Sequence, residues 1–156
     1  MSKMFAKSVR LTPSTMSSVA ERRFGDAEAL RDTGLNARAN GVVYLTGFVI
    51  EILLKAQLII KYPLVANASA QVNGTEAKAY GLVWKSHDLE KMLNALPELQ
   101  ATLRALGERD GTDYAAELKK VCGAWTIQAR YASKGILMDE ATEMLERVRS
   151  LKEKLK

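Results

Sequence analysis

Glu51 and Lys55 stand four residues apart inside an almost wholly apolar stretch, Val42 to Ile60. At helical pitch that spacing puts both on one face, where they can form a salt bridge. As structure, the pair is an internal ion pair. As chemistry, a carboxylate in so apolar a helix must be paired or must face a cleft, and a buried Glu beside a poised partner is a site candidate. Gly47, one turn earlier, lets another helix come close. His87, the chain's one histidine, lies in Ser86-His87-Asp88-Leu89 at the start of an expected helix. The positive end of a helix favours a neutral imidazole, which can orient a partner or act as a base, although the same position suits an ordinary cap or packing residue. Arg130 follows Trp125 by five residues and precedes Tyr131. A guanidinium beside an aromatic ring suits phosphate and base contacts, through bidentate hydrogen bonds and stacking. The alternative is an arginine closing a salt bridge, with Glu51 as one candidate partner.

Other chemistries are poorly served. The chain has no Gly-x-Gly-x-x-Gly, no phosphate-binding loop ending in Gly-Lys-Ser/Thr, no His-Glu-x-x-His and no nucleophile elbow. One histidine cannot build a His-rich metal site, and the single Cys122 cannot form an internal disulfide. We therefore expect no metal and no cofactor. Cys122 has Val121 beside it and Trp125 three residues on, a setting that suits an inert, buried thiol.

The elements that must position these side chains are helices. Apolar spacing predicts a first helix from about Ser17 to Asp32, with Thr33-Gly34 as its stop. A second runs from about Asn36 to Pro63, apolar over more than one face and so central to a bundle. Residues 63–80 read as a long loop, and the weak alternation from Ala79 to Trp84 is the only hint of a strand. Ser86 can cap a short helix through Leu96, and Pro97 is allowed in the first turn of the next. A turn at Gly107 to Gly111 precedes a helix from about Thr112 that reaches toward Ala132. Asp139 caps a final helix with Ala141, Met144, Leu145, Val148, Leu151 and Leu155 as its apolar stripe.

The 156 residues suit one domain, residues 1–156, in which residues 1–16 read as a flexible N-terminal segment. Hydrophobic residues make up 47% and charged residues 26%, ordinary globular usage that argues against disordered and fibrous classes. The net charge of +5, with seven basic residues against four acids in residues 1–40, biases the chain toward anionic partners without naming one. No apolar segment precedes the polar stretch from Thr12 to Ser18, so no secretory signal is visible and a cytoplasmic location is expected. The run from Val42 to Ile60 nearly has the length of a membrane span. Glu51 and Lys55 in its middle would each cost a few kcal/mol in hydrocarbon, which favours a buried core helix and no membrane partner. The fold class is all-α, a bundle of four to six helices.

Three segments together resemble the HEPN superfamily (higher eukaryotes and prokaryotes nucleotide-binding). They are Ala39 to Lys55 (ANGVVYLTGFVIEILLK), Ser86 to Leu93 (SHDLEKML), and Trp125 to Tyr131 (WTIQARY) followed by the closing helix from Asp139. The resemblance implies an up-and-down helical bundle that usually forms a homodimer. Many members of that family are metal-independent ribonucleases with an Arg followed, after four to six intervening residues, by a His. Arg130 matches the first position, whereas Gly135, Ile136 and Leu137 lie where the His is expected. The departure points to a non-catalytic branch, an RNA- or nucleotide-binding module that can serve as partner to a nucleotidyltransferase in toxin–antitoxin or defence modules. Arg130, Tyr131, Lys55, Glu51 and His87 are then expected to line its cleft. Two alternatives stand beside it: a ribonuclease in which Arg130 holds the phosphate and His87 moves the proton, and a structural adaptor that binds a protein partner through its helix faces.

Overall fold

A computed structural model describes residues 10–125 and 135–156. Helix α1, Pro13–Asp32, starts four residues before the periodicity places it. Thr12 explains the early start, because its side-chain oxygen accepts from the Thr15 amide at 3.1 Å and Pro13 is pre-set for the first turn. Its buried residues, Met16, Ala20, Phe24 and Ala27, recur at helical spacing and lie against the next helix. A 3₁₀ turn, Asn36–Arg38, leads into α2, Ala39–Lys61.

Helix α2 is the centre of the bundle. Val42, Val49, Ile50, Leu53, Leu54 and Leu58 are buried around more than one side of it, as the all-round apolar pattern predicts. By length and composition it could also cross a membrane, and 61% of its most apolar window is buried by the rest of the chain. It ends at Pro63, which lacks the amide a further turn needs.

The expected loop over residues 63–80 is a correction. A 3₁₀ turn, Pro63–Ala66, is followed by helix α3, Gly74–Lys85, which absorbs the stretch read as weakly alternating. Only Ala79 and Val83 of α3 are buried, a single i,i+4 pair too short to reveal a period in sequence. Its aromatic side chains anchor the preceding segment: Trp84 Nε1 donates to the Val65 carbonyl at 2.7 Å, and the Tyr80 hydroxyl donates to the Ala68 carbonyl.

The remaining elements are α4, Leu89–Asn94; α5, Pro97–Asp110; α6, Tyr114–Ala124; and α7, Met138–Lys152. Seven α-helices are thus present among the described residues, one more than the upper end of the expected four to six, and no strand pairs with another there. Helix α4 is capped by Asp88, whose carboxylate accepts from the Lys91 amide at 3.0 Å, while Ser86 accepts from the Asp88 amide one step earlier. Gly107 lies inside α5 instead of opening a turn. A Cβ there would stand 2.4 Å from the Thr112 carbonyl oxygen, so glycine lets the α5–α6 connection fold tightly over the helix end. Asp113 caps α6, which starts two residues after the expected Thr112. That helix ends at Ala124, and its expected continuation over residues 126–132 lies outside the described residues. Leu137 occupies the N-cap position of α7 in place of Asp139. The cap is made from inside the helix, where Glu140 accepts from the Leu137 amide at 2.9 Å. Helix α7 returns to pack on α2 and α1, closing a helical bundle around one apolar core.

Candidate functional site

The α2 stripe predicted from spacing meets the segment before α4. Glu51 is 1% exposed, and its Oε1 accepts from Lys55 Nζ at 2.7 Å, as the i,i+4 spacing requires. The same oxygen lies 2.9 Å from His87 Nδ1. Three of the five expected site residues therefore converge on one buried carboxylate oxygen. Among the described residues Glu51 Oε2 has no hydrogen-bond partner. A buried acceptor left without a donor typically costs about 1–3 kcal/mol, so this oxygen marks a place where the fold does not serve its own stability.

The dyad has a defined polarity. With an ammonium 2.7 Å away, the Glu51 carboxylate is the charged acceptor, and His87 Nδ1–H is the donor. That fixes the tautomer and the plane of the imidazole, and leaves Nε2 as its open nitrogen. The ring is 57% exposed although its anchor is buried, which places an oriented imidazole at the surface. Asp88, one residue on, is committed to capping α4, so the carboxylate that holds the ring comes from 36 residues away.

One turn before Glu51, the α2 surface is notched at Gly47. A Cβ on Gly47 would stand 2.1 Å from Cδ1 of Trp125, the 3%-exposed residue at the end of α6. The missing side chain is what admits the indole. Tyr44 continues the line, stacked on Phe48 with centroids 6.4 Å apart and tilted against Trp125 at 6.2 Å. Tyr44, Gly47, Glu51 and Lys55 form one helical stripe, aromatic at one end and charged at the other. Tyr44, 48% exposed, was legible in that spacing although it was not singled out. Leu54, beside Lys55 on the same helix, is fully buried and belongs to the core.

Arg130 and Tyr131 lie outside the described residues. Cys122 is buried in α6, and burial, with the charges of Glu90 and Asp88, pushes its thiol up to about 12. It is an inert core thiol by that measure. Other ion pairs are structural. Lys152 reaches Glu21 and Glu153 at 2.9 and 2.6 Å, and Arg149 bridges Glu28 and Glu146. These tie α7 to α1 and sit over the Phe24 ring. Among the described residues no three His, Cys, Asp or Glu side chains gather as a metal-ligand set. No family model, curated protein or solved structure matches the chain.

Proposed function

We propose that this chain is a HEPN-like RNA- or nucleotide-associated interaction module, non-catalytic in itself, acting as a homodimer or beside a nucleotidyltransferase in a toxin–antitoxin or defence system. The observation that carries the reading is the Glu51-centred cluster: a buried carboxylate engaging Lys55 and His87 on one oxygen and no hydrogen-bond partner on the other among the described residues. Lys55 offers a nitrogen donor suited to phosphate, His87 presents an oriented imidazole beside it, and the stripe from Tyr44 to Trp125 offers aromatic faces suited to a base. The three resembling segments carry these same residues, with Arg130 and Tyr131 as the remaining phosphate and stacking groups. A +5 net charge supports an anionic ligand and fast association with it. In this reading α2 is a core helix of a cytoplasmic protein.

One feature favours a second reading. A histidine held at Nδ1 by a carboxylate has the geometry of a general base, so a metal-independent ribonuclease would use His87 for proton transfer and Arg130 for the scissile phosphate. A cleavage assay without metal separates the readings, run on wild type, Arg130→Ala and His87→Ala beside the gel-filtration mass and RNA and nucleotide binding. The module reading expects a dimer that binds RNA or nucleotide, leaves RNA intact, and loses affinity on Arg130→Ala. Cleavage abolished by either substitution would replace it with the ribonuclease. Absence of binding to both ligands would leave an adaptor that meets a protein partner through its helix faces.

A further inference from the structure

We propose that His87 is a phosphoryl-acceptor side chain, whose Nε2 takes a phosphoryl group from a donor carrying phosphorus on nitrogen while Glu51 holds the ring from the other side. The proposal goes beyond ligand binding and stands whether or not the bundle binds RNA or nucleotide. Three observations meet at this residue. Nδ1 lies 2.9 Å from Glu51 Oε1, and the Lys55 ammonium on that same oxygen, at 2.7 Å, keeps the carboxylate an acceptor. Nδ1 is thereby the donor, and in the neutral imidazole the lone pair lies on Nε2. Among the described residues Nε2 has no hydrogen-bond partner, and 57% of the side chain is exposed, so a donor can reach it without any rearrangement of the core.

A histidine that merely packs needs none of these features together. A buried, 1%-exposed carboxylate costs the fold solvation, and a surface imidazole can reach its hydrogen bonds from water. What the anchored geometry offers is a nucleophile with its ring pre-oriented and a fixed negative charge where positive charge develops. In the step itself, the Nε2 lone pair attacks phosphorus and a new N–P bond forms. The donor's N–P bond breaks, and its electron pair leaves with the donor nitrogen, which departs as an amine carrying the protons it already bore. Nδ1 keeps its proton, and the positive charge appearing on the ring is met by Glu51. Nothing is oxidised or reduced, and one N–P bond replaces another of similar strength.

The test uses potassium phosphoramidate as donor and intact-protein mass as readout. His87 is the only histidine, so one acid-labile phosphoryl adduct that is absent from His87→Ala reports this site alone. The reference is a synthetic peptide spanning residues 83–93, which holds the same histidine without Glu51. Taking as a guide the 10- to 100-fold that carboxylate partners contribute to metal-bound histidines, wild type should react at least about tenfold faster than the peptide. Glu51→Gln, checked for folding by circular dichroism, should fall back toward the peptide rate. Wild type reacting no faster than the peptide overturns the proposal, and so does a folded Glu51→Gln that reacts as fast as wild type. If Glu51→Gln fails to fold, the comparison of wild type with peptide decides alone.

Discussion

Replacing Gly47 by alanine adds one methyl group to the middle of α2, where helix propensity alone makes the change favourable by about 1 kcal/mol. The site reverses that sign. The new Cβ would lie 2.1, 2.2 and 2.2 Å from Cδ1, Cγ and Nε1 of the Trp125 indole, against ordinary carbon contacts of about 3.5–4.0 Å. The overlap exceeds an ångström against a ring that is 3% exposed and anchored at the end of α6. Overpacking of this kind costs about 1–3 kcal/mol, and a displaced indole approaches the 3–5 kcal/mol of a deleted tryptophan. Taking the upper overpacking value against the propensity gain, Gly47→Ala should lose about 2 kcal/mol, a fall in Tm of roughly 4–8 °C for a chain of this size. Urea unfolding followed by circular dichroism measures it. The same substitution in a Trp125→Ala background should instead stabilise by about 1 kcal/mol, because the notch is then empty, and the coupling between the sites should approach 3 kcal/mol. An equal, favourable effect of Gly47→Ala in both backgrounds would refute the close approach of Trp125 to α2.

Two further perturbations bear on the charges. Lys55→Met leaves the Glu51 carboxylate buried with only His87 against it, and should destabilise by about 3 kcal/mol, the low end for breaking a buried pair because Lys55 keeps some contact with water. Glu51→Leu combined with Lys55→Met should return to within about 1 kcal/mol of wild type; urea midpoints that leave Lys55→Met unchanged would contradict a charged Glu51. The second concerns acid. Hydrogen bonds from Lys156 and Lys152 hold Glu21 below its usual value of 4.5, and bonds from Tyr114, Lys154 and Arg109 do the same for Asp110 from 3.8. Such depressed carboxyls contribute stability that is present above those ordinary values and is lost as pH falls through the folded ones. Thermal melts should therefore be level from neutrality to about pH 5 and decline below pH 4.5, less steeply for Glu21→Gln and at high salt.

Much of the bundle was legible because burial leaves a period. The all-round apolar pattern of α2 marked it as central, and the four-residue spacing of Glu51 and Lys55 placed them together on one face. Helix α3 was not legible: two buried residues in twelve carry no period, and Asn73-Gly74 reads as a turn. Caps were misassigned where several residues of capping type crowd together, as at Ser86 and Asp88, or where an internal Glu140 replaces the expected Asp139. The pairing of Glu51 with His87 was beyond reach for a different reason. Periodicity says which side chains share a face, and it does not say which face of α2 the segment before α4 will cover.

The measurement that bears most directly on the central claim is an NMR titration of labelled protein with a short single-stranded RNA and with a nucleotide, following the His87 ring and the Trp125 indole. Saturable shifts are expected at His87 and Trp125, lost in Arg130→Ala and weakened in Lys55→Met. Resonances at both residues that stay unmoved while RNA or nucleotide binds elsewhere, or that show no response to either ligand, would contradict it.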